Sequence, residues 1–301
     1  MASDTPPSRP PARERLAAER AAAARKRIEE ARRRRLLMMV GAPVLAIVVV
    51  VAVLVAVKLV SGSSGPKSGK SATAADQGVI TRVTTVPTAV LDKIGIGSIS
   101  RHPTVLTGVA LTAGGKPRVL YVGAEYCPFC AAERWSVVVA LARFGSFANL
   151  GQASSSAADT YPSTATLTFH GASYRSNYIT FTGKELQGNR VVNGKYATLD
   201  TLSSGDRAVF DRVNPSGSIP VLDLGGKYLI AGASYDPGVL KGSTHAQIAA
   251  ALSDSTSGIA KSVDGAANLI TAAICALTAN RPTAVCATAA VRAATPSLSN
   301  G

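Results

Sequence analysis

Twenty-two consecutive positions, Leu36 to Val57, carry no charged side chain, and polar and apolar residues begin to alternate only well beyond them. At about 1.5 Å per residue this run covers the roughly 30 Å hydrocarbon core of a bilayer, which predicts a spanning helix over 36–58. A cleaved leader and a buried core helix are the alternatives. The run exceeds a leader's usual apolar stretch of about 7–15 residues, and its basic flank is long for one. The string SGSSGPKSGKS that follows, Ser61 to Ser71, predicts a flexible tether over 59–78.

From Val79 the pattern becomes that of a folded α/β domain, expected over 79–290 with a loose tail at 291–301. LDKIG (91–95) suits a short helix, and 105–111 alternates weakly. RVLYVGA (118–124) is a continuous apolar run of strand length, and the helical spacing of Phe129, Trp135, Val138, Val139 and Ala142 predicts a helix over 127–144. ATLTFHG (165–171) alternates as a strand, and YITF (178–181) suits another. SIPVLDLGGKYLIAG (218–232) has the form strand, Gly-Gly turn, strand. Alanine-rich helices are expected over 245–259 and 263–277.

Charge changes the picture mainly at the N-terminal end. The net +14 looks like a nucleic-acid signal, but residues 1–35 hold eleven Lys or Arg against five acids. Beyond residue 70 the excess is spread thinly and not interleaved with aromatics, so no nucleic-acid partner is expected. The arginines at 32–35 abut the apolar run, so 1–35 is expected to be a cytoplasmic, basic, helical or disordered tail against anionic lipid. Everything past Lys58 is then extracytoplasmic.

The chemistry lies in EYCPFC, where the 118–124 strand meets the 127–144 helix. A Cys127 sulfur at the start of a helix sits beside unpaired N–H groups, which lower a thiol pKa from about 8.5 toward 7 or below. Cys130 falls on the same side of the first turn and can resolve a mixed disulfide. A metal site and a purely structural bridge are the competing uses. The first needs more ligands than the separated His102, His170 and His245 offer, unless Cys275 and Cys286 join. The second closes too short a loop to stabilise much. Cys275 and Cys286 suit a structural disulfide of an exported domain. No metal and no cofactor are expected. Glu125 and Glu133 are the candidate proton acceptors, and Tyr126 and Phe129 the apolar rim.

YVGAEYCPFC resembles the active-site segment of the thioredoxin-like superfamily, and SIPVLDLGGKY resembles its proline-led hairpin. The string GAEYCPFCAAERWSVVVALARFGSFANL resembles most closely an actinobacterial membrane-anchored family, domain of unknown function 929. The resemblance implies a thioredoxin-like α/β fold with an inserted middle region, Pro220 in cis opposite the cysteines, Ile219 offering its backbone to a peptide, and Cys127 as nucleophile. The Tyr126 position departs from that superfamily's usual tryptophan, and no acid stands where its buried aspartate would.

The expected function is a membrane-anchored thiol–disulfide oxidoreductase acting on envelope or secreted proteins. Its partners would be protein thiols or disulfides and a membrane redox protein. The alternative is a non-enzymatic scaffold or assembly factor for a membrane complex. Oxidants, isomerases and reductases share these residues, so the direction of electron flow is not written in them.

Overall fold

The computed structural model describes residues 74–299; the basic tail, the candidate spanning segment and most of the tether lie outside them. Two short helices come first, α1 (Ala74–Thr84) and α2 (Thr88–Ile94). Strands β1 (Thr104–Val105), β2 (Thr112–Ala113) and β3 (Lys116–Gly123) lead into helix α3 (Pro128–Ala142). The middle holds β4 (Gly145–Ala148), β5 (Gly151–Ser154), β6 (Ala165–Thr168), β7 (Ser173–Ser176), β8 (Thr180–Glu185), β9 (Gln187–Val192), β10 (Lys195–Thr198) and α4 (Ser204–Val213). Strands β11 (Val221–Leu224) and β12 (Tyr228–Ala231) precede α5 (His245–Ala251), α6 (Gly258–Leu277), α7 (Thr283–Cys286) and α8 (Ala289–Ala294).

The main sheet is mixed. Its order is β1-β12-β11-β3-β2, antiparallel throughout, with β8 added parallel to β3 along Arg118↔Thr180 to Gly123↔Glu185. Alternate residues of β3 enter two different cores. Val119 and Tyr121 join the larger one with Trp135, Leu141, Leu222 and Ile270. Leu120 and Val122 join a smaller one with Val221 and Phe210 of α4. A strand covered on both faces is apolar at every position rather than at every second one, which is why VLYVG reads as an unbroken run. The remaining strands form three antiparallel pairs, β4–β7, β5–β6 and β9–β10, making up the inserted middle region.

Several boundaries differ from expectation for local reasons. Helix α1 begins inside the stretch expected as tether, and Val79 and Val83, one turn apart, are buried in the larger core. The expected 245–259 helix stops at Ala251. The Asp254 carboxylate takes the Thr256 N–H and hydroxyl, forming a turn, and Ser257 then caps α6 through the Ile259 N–H. Residues 291–298 are packed rather than loose: Val291, Ala294 and Leu298 belong to the larger core, and α8 lies along α6. Their apolar spacing is diluted by alanine and proline, which hid it.

Among the described residues, α6 is the one helix long and apolar enough to cross a membrane, and 83% of its apolar window is buried inside the domain. It serves as the core helix against which α3 packs. At its end Cys275 is joined to Cys286, with S–S 1.99 Å and Cα atoms 5.6 Å apart.

Candidate active site

Cys127 is the N-cap of α3, with extended backbone (φ −79°, ψ 122°), and Pro128 fills the first helical position, where a missing N–H costs nothing. Its Sγ accepts the Cys130 N–H at 3.1 Å. Burial pushes the Cys127 thiol up, but the Cys130 side chain and the helix-end N–H groups outweigh it, so the net shift is downward; Arg134 adds to it. Cys130 goes the other way. It is fully buried, and burial together with the neighbouring Cys127 raises its thiol well above the ordinary value. Both thiols are free. The pair is therefore split: Cys127 ionises more readily than an ordinary thiol and Cys130 less readily.

The pairing of β11 with β3, Val221↔Val122, carries the residues just before β11 alongside the cysteines. Ile219–Pro220 is a cis peptide, and the Cys127 Sγ lies 3.8 Å from the Ile219 carbonyl oxygen. Ile219 is half-buried and Pro220 buried. The hairpin and the C-x-x-C thus meet, 92 positions apart in the chain.

Behind the cysteines stands an ion pair. Arg134, one helical turn past Cys130, donates from Nε to Glu185 Oε1 and from Nη2 to Glu185 Oε2, both at 2.7 Å. It also donates to Ala124 O at 2.5 Å and Thr166 Oγ1 at 3.4 Å. Both side chains are completely buried. Burial alone would lower the guanidinium pKa, but Glu185 outweighs it and the net shift is upward, so the charge persists beside the thiols.

The rim comes from the inserted region. Tyr126 stacks flat on Tyr196 of β10 at 4.1 Å, and Phe129, 43% exposed, meets Tyr161 edge-on at 6.0 Å. Ser156 ties the two sides together: its N–H donates to Tyr126 O at 2.8 Å, and its hydroxyl accepts from Tyr196 at 2.7 Å.

Of the candidate carboxylates, Glu133 is buried away from this rim, where it accepts from the Ser234 N–H at 2.8 Å and the Ser234 hydroxyl at 3.0 Å. Burial raises its pKa to about 7. Glu125 donates its main-chain N–H to Gln187 O at 2.8 Å, and its carboxylate lies against Gly188 at the root of the β9–β10 hairpin. The charge acting on Cys130, besides Cys127, is that of Arg134.

Sequence reasoning did not find Arg134, Glu185, Tyr161, Tyr196 or Ser156. Arg134 did leave a signal: from Cys130 to Leu141 its one charged companion is Glu133, the whole stretch is buried, and a cation in such a position demands a buried partner. Glu185 left none, because the expected strand ended at Phe181.

Residues 104–203 match a family described as a domain of unknown function, DUF929. The matched segment contains the C-x-x-C, Arg134, Glu185 and the whole aromatic rim, whereas Ile219–Pro220 and the disulfide lie beyond it. No curated protein and no solved structure matches the chain.

Proposed function

We propose that the protein is a membrane-anchored, extracytoplasmic thiol–disulfide oxidoreductase of thioredoxin-like fold, acting on envelope or secreted proteins. The observation that carries this is the meeting of the Cys127 Sγ, at a helix N-terminus, with the carbonyl that precedes cis-Pro220, 3.8 Å away. The β3–C-x-x-C–α3 order, the mixed sheet and the β11–β12 hairpin support the fold assignment. The Cys275–Cys286 disulfide supports an oxidising compartment, and the arginines before the apolar run support an outward-facing domain.

In the reductive direction, the Cys127 thiolate attacks one sulfur of a substrate disulfide. A mixed disulfide forms, and the other substrate sulfur leaves as a thiolate and takes up a proton. Cys130 then attacks the Cys127 Sγ, the second substrate sulfur departs with the Cys130 proton, and the site is left as a Cys127–Cys130 disulfide. Oxidation of a substrate dithiol is the same path reversed. Neither direction needs a cofactor. One anchor carries no electrons, so a membrane redox protein resets the pair. Tyr126, Phe129 and Ile219 contact the partner polypeptide.

Cys130→Ser tests the activity. In native membranes the variant should retain partners as mixed disulfides through Cys127, released by dithiothreitol and identified by mass spectrometry. A scaffold would instead hold the same partners non-covalently, and would do so equally well after removal of both sulfurs.

A further inference from the structure

The main sheet ends on β8, and one stretch of that edge is open. Leu186, just past the strand, donates its N–H back to Gly123 O of β3 at 2.8 Å. Glu185 turns the other way: its N–H donates to Asp200 Oδ2 and its carbonyl accepts the Asp200 N–H, both at 2.9 Å. Alternation along a strand then aims the main-chain groups of Gly183 and Phe181 outward as well. Ile179, next in that series, gives its N–H to Ser176 Oγ at 3.4 Å. Among the described residues nothing pairs with the N–H or C=O of Phe181 or of Gly183. These groups form an unpaired window between Ser176 and Asp200, and an open edge of this kind is a template for another strand.

Beside the window lies a cavity of about 330 Å³ whose walls include Phe147, Phe169, Tyr174 and Phe181. Gly183 brings no side chain to this face. Phe169 lies so close against it that a Cβ on Gly183 would stand 2.6 Å from Phe169 Cβ.

We infer that this edge docks a second copy of the chain, two β8 strands pairing antiparallel about a two-fold axis at Thr182. That axis sets Phe181 of each copy opposite Gly183 of the other, and the resulting ladder satisfies every open main-chain group of both. Directly opposed residues share a face of the sheet. Each Phe181 ring therefore arrives where the facing side chain is missing and the aromatic cavity begins. The charges agree with this pairing. Lys116 Nζ, donating to Ser176 O at 2.8 Å, stands at the N-terminal end of β8, and Asp200 stands at the C-terminal end. Antiparallel pairing carries the cation of one copy toward the carboxylate of the other. A foreign strand would match the hydrogen bonds alone.

Cross-linking in native membranes tests the pairing, on the full-length chain carrying Cys127→Ser and Cys130→Ser. In the paired strands Thr182 faces Thr182 of the second copy, with Cα atoms about 4.5 Å apart and within disulfide reach, whereas Lys184 faces Thr180. Copper–phenanthroline oxidation should link Thr182→Cys chains into a homodimer on a non-reducing gel at least fivefold faster than Thr180→Cys or Lys184→Cys chains alone. Co-expressed Thr180→Cys and Lys184→Cys chains should link to each other. Because Thr182 Oγ accepts from Arg118, this mixed pair decides the matter if Thr182→Cys does not accumulate. Equal linking of all three single variants, no homodimer in either arrangement, or linking of Thr182→Cys to other proteins only overturns the self-pairing.

Discussion

A chain carrying Arg134→Met is expected to unfold with about 3–5 kcal/mol less free energy than the wild type, because it leaves Glu185 charged and unpaired in the interior. Glu185 would retain only the Phe169 N–H, at 3.4 Å. The same substitution removes the cation that helps hold the Cys127 pKa down, so the pH midpoint of Cys127 alkylation should move upward. Adding Glu185→Leu should recover much of the stability, because the uncompensated charge is then gone, but not the alkylation midpoint. Urea unfolding and the pH dependence of iodoacetamide labelling, run on the three variants, separate the two effects. A loss below 1 kcal/mol for Arg134→Met would mean that water reaches the pair.

Asp264 predicts an effect of similar size with the opposite sense for stability. It is completely buried on α6, and neither carboxylate oxygen has a hydrogen-bond partner. Burial raises its pKa to about 8. The folded state therefore holds this proton more tightly than the unfolded chain, where an aspartate titrates near 3.9. The stabilisation is fully present below the unfolded pKa and is lost as pH rises through 8. Between those limits stability falls by about 1.4 kcal/mol per pH unit for each proton of difference. Glu133 adds to the decline from its ordinary range up to about 7.

Asp264→Asn keeps the shape of the protonated side chain and removes the titration. The variant should match the wild type near pH 3, exceed it by on the order of several kcal/mol at pH 9, and show a flatter dependence in between. Thermal unfolding across that range measures it. A wild-type Tm that rises from pH 5 to pH 9 would show that Asp264 meets a cation or water in the folded state.

Much of the site was legible because it depends on local order. A strand, a C-x-x-C and a helix in immediate succession place Cys127 at a helix start whatever the rest of the chain does. The hairpin was legible too, since Gly225 and Gly226 mark its turn and both adopt positive φ. The contact between these two pieces was not legible, because it depends on the β11–β3 register, and only the family resemblance implied it. The buried charge pair was missed for a related reason. Glu185 meets Arg134 through the parallel pairing of β8 with β3, and the half-buried, Thr- and Lys-containing β8 carries little of the alternation that marks an antiparallel strand. The aromatic rim was hidden because Tyr161 lies in a turn and Tyr196 on a two-stranded arm, neither with apolar periodicity.

The most direct measurement of the central claim is a redox titration of the full-length chain in glutathione buffers, with trapped thiols counted by mass. The account predicts that Cys127 and Cys130 oxidise together in one two-electron step, about 30 mV per tenfold change in the ratio, while Cys275–Cys286 stays linked throughout. Two thiols that remain free in the most oxidising buffer, or that stop at a glutathione adduct without closing on each other, would contradict it.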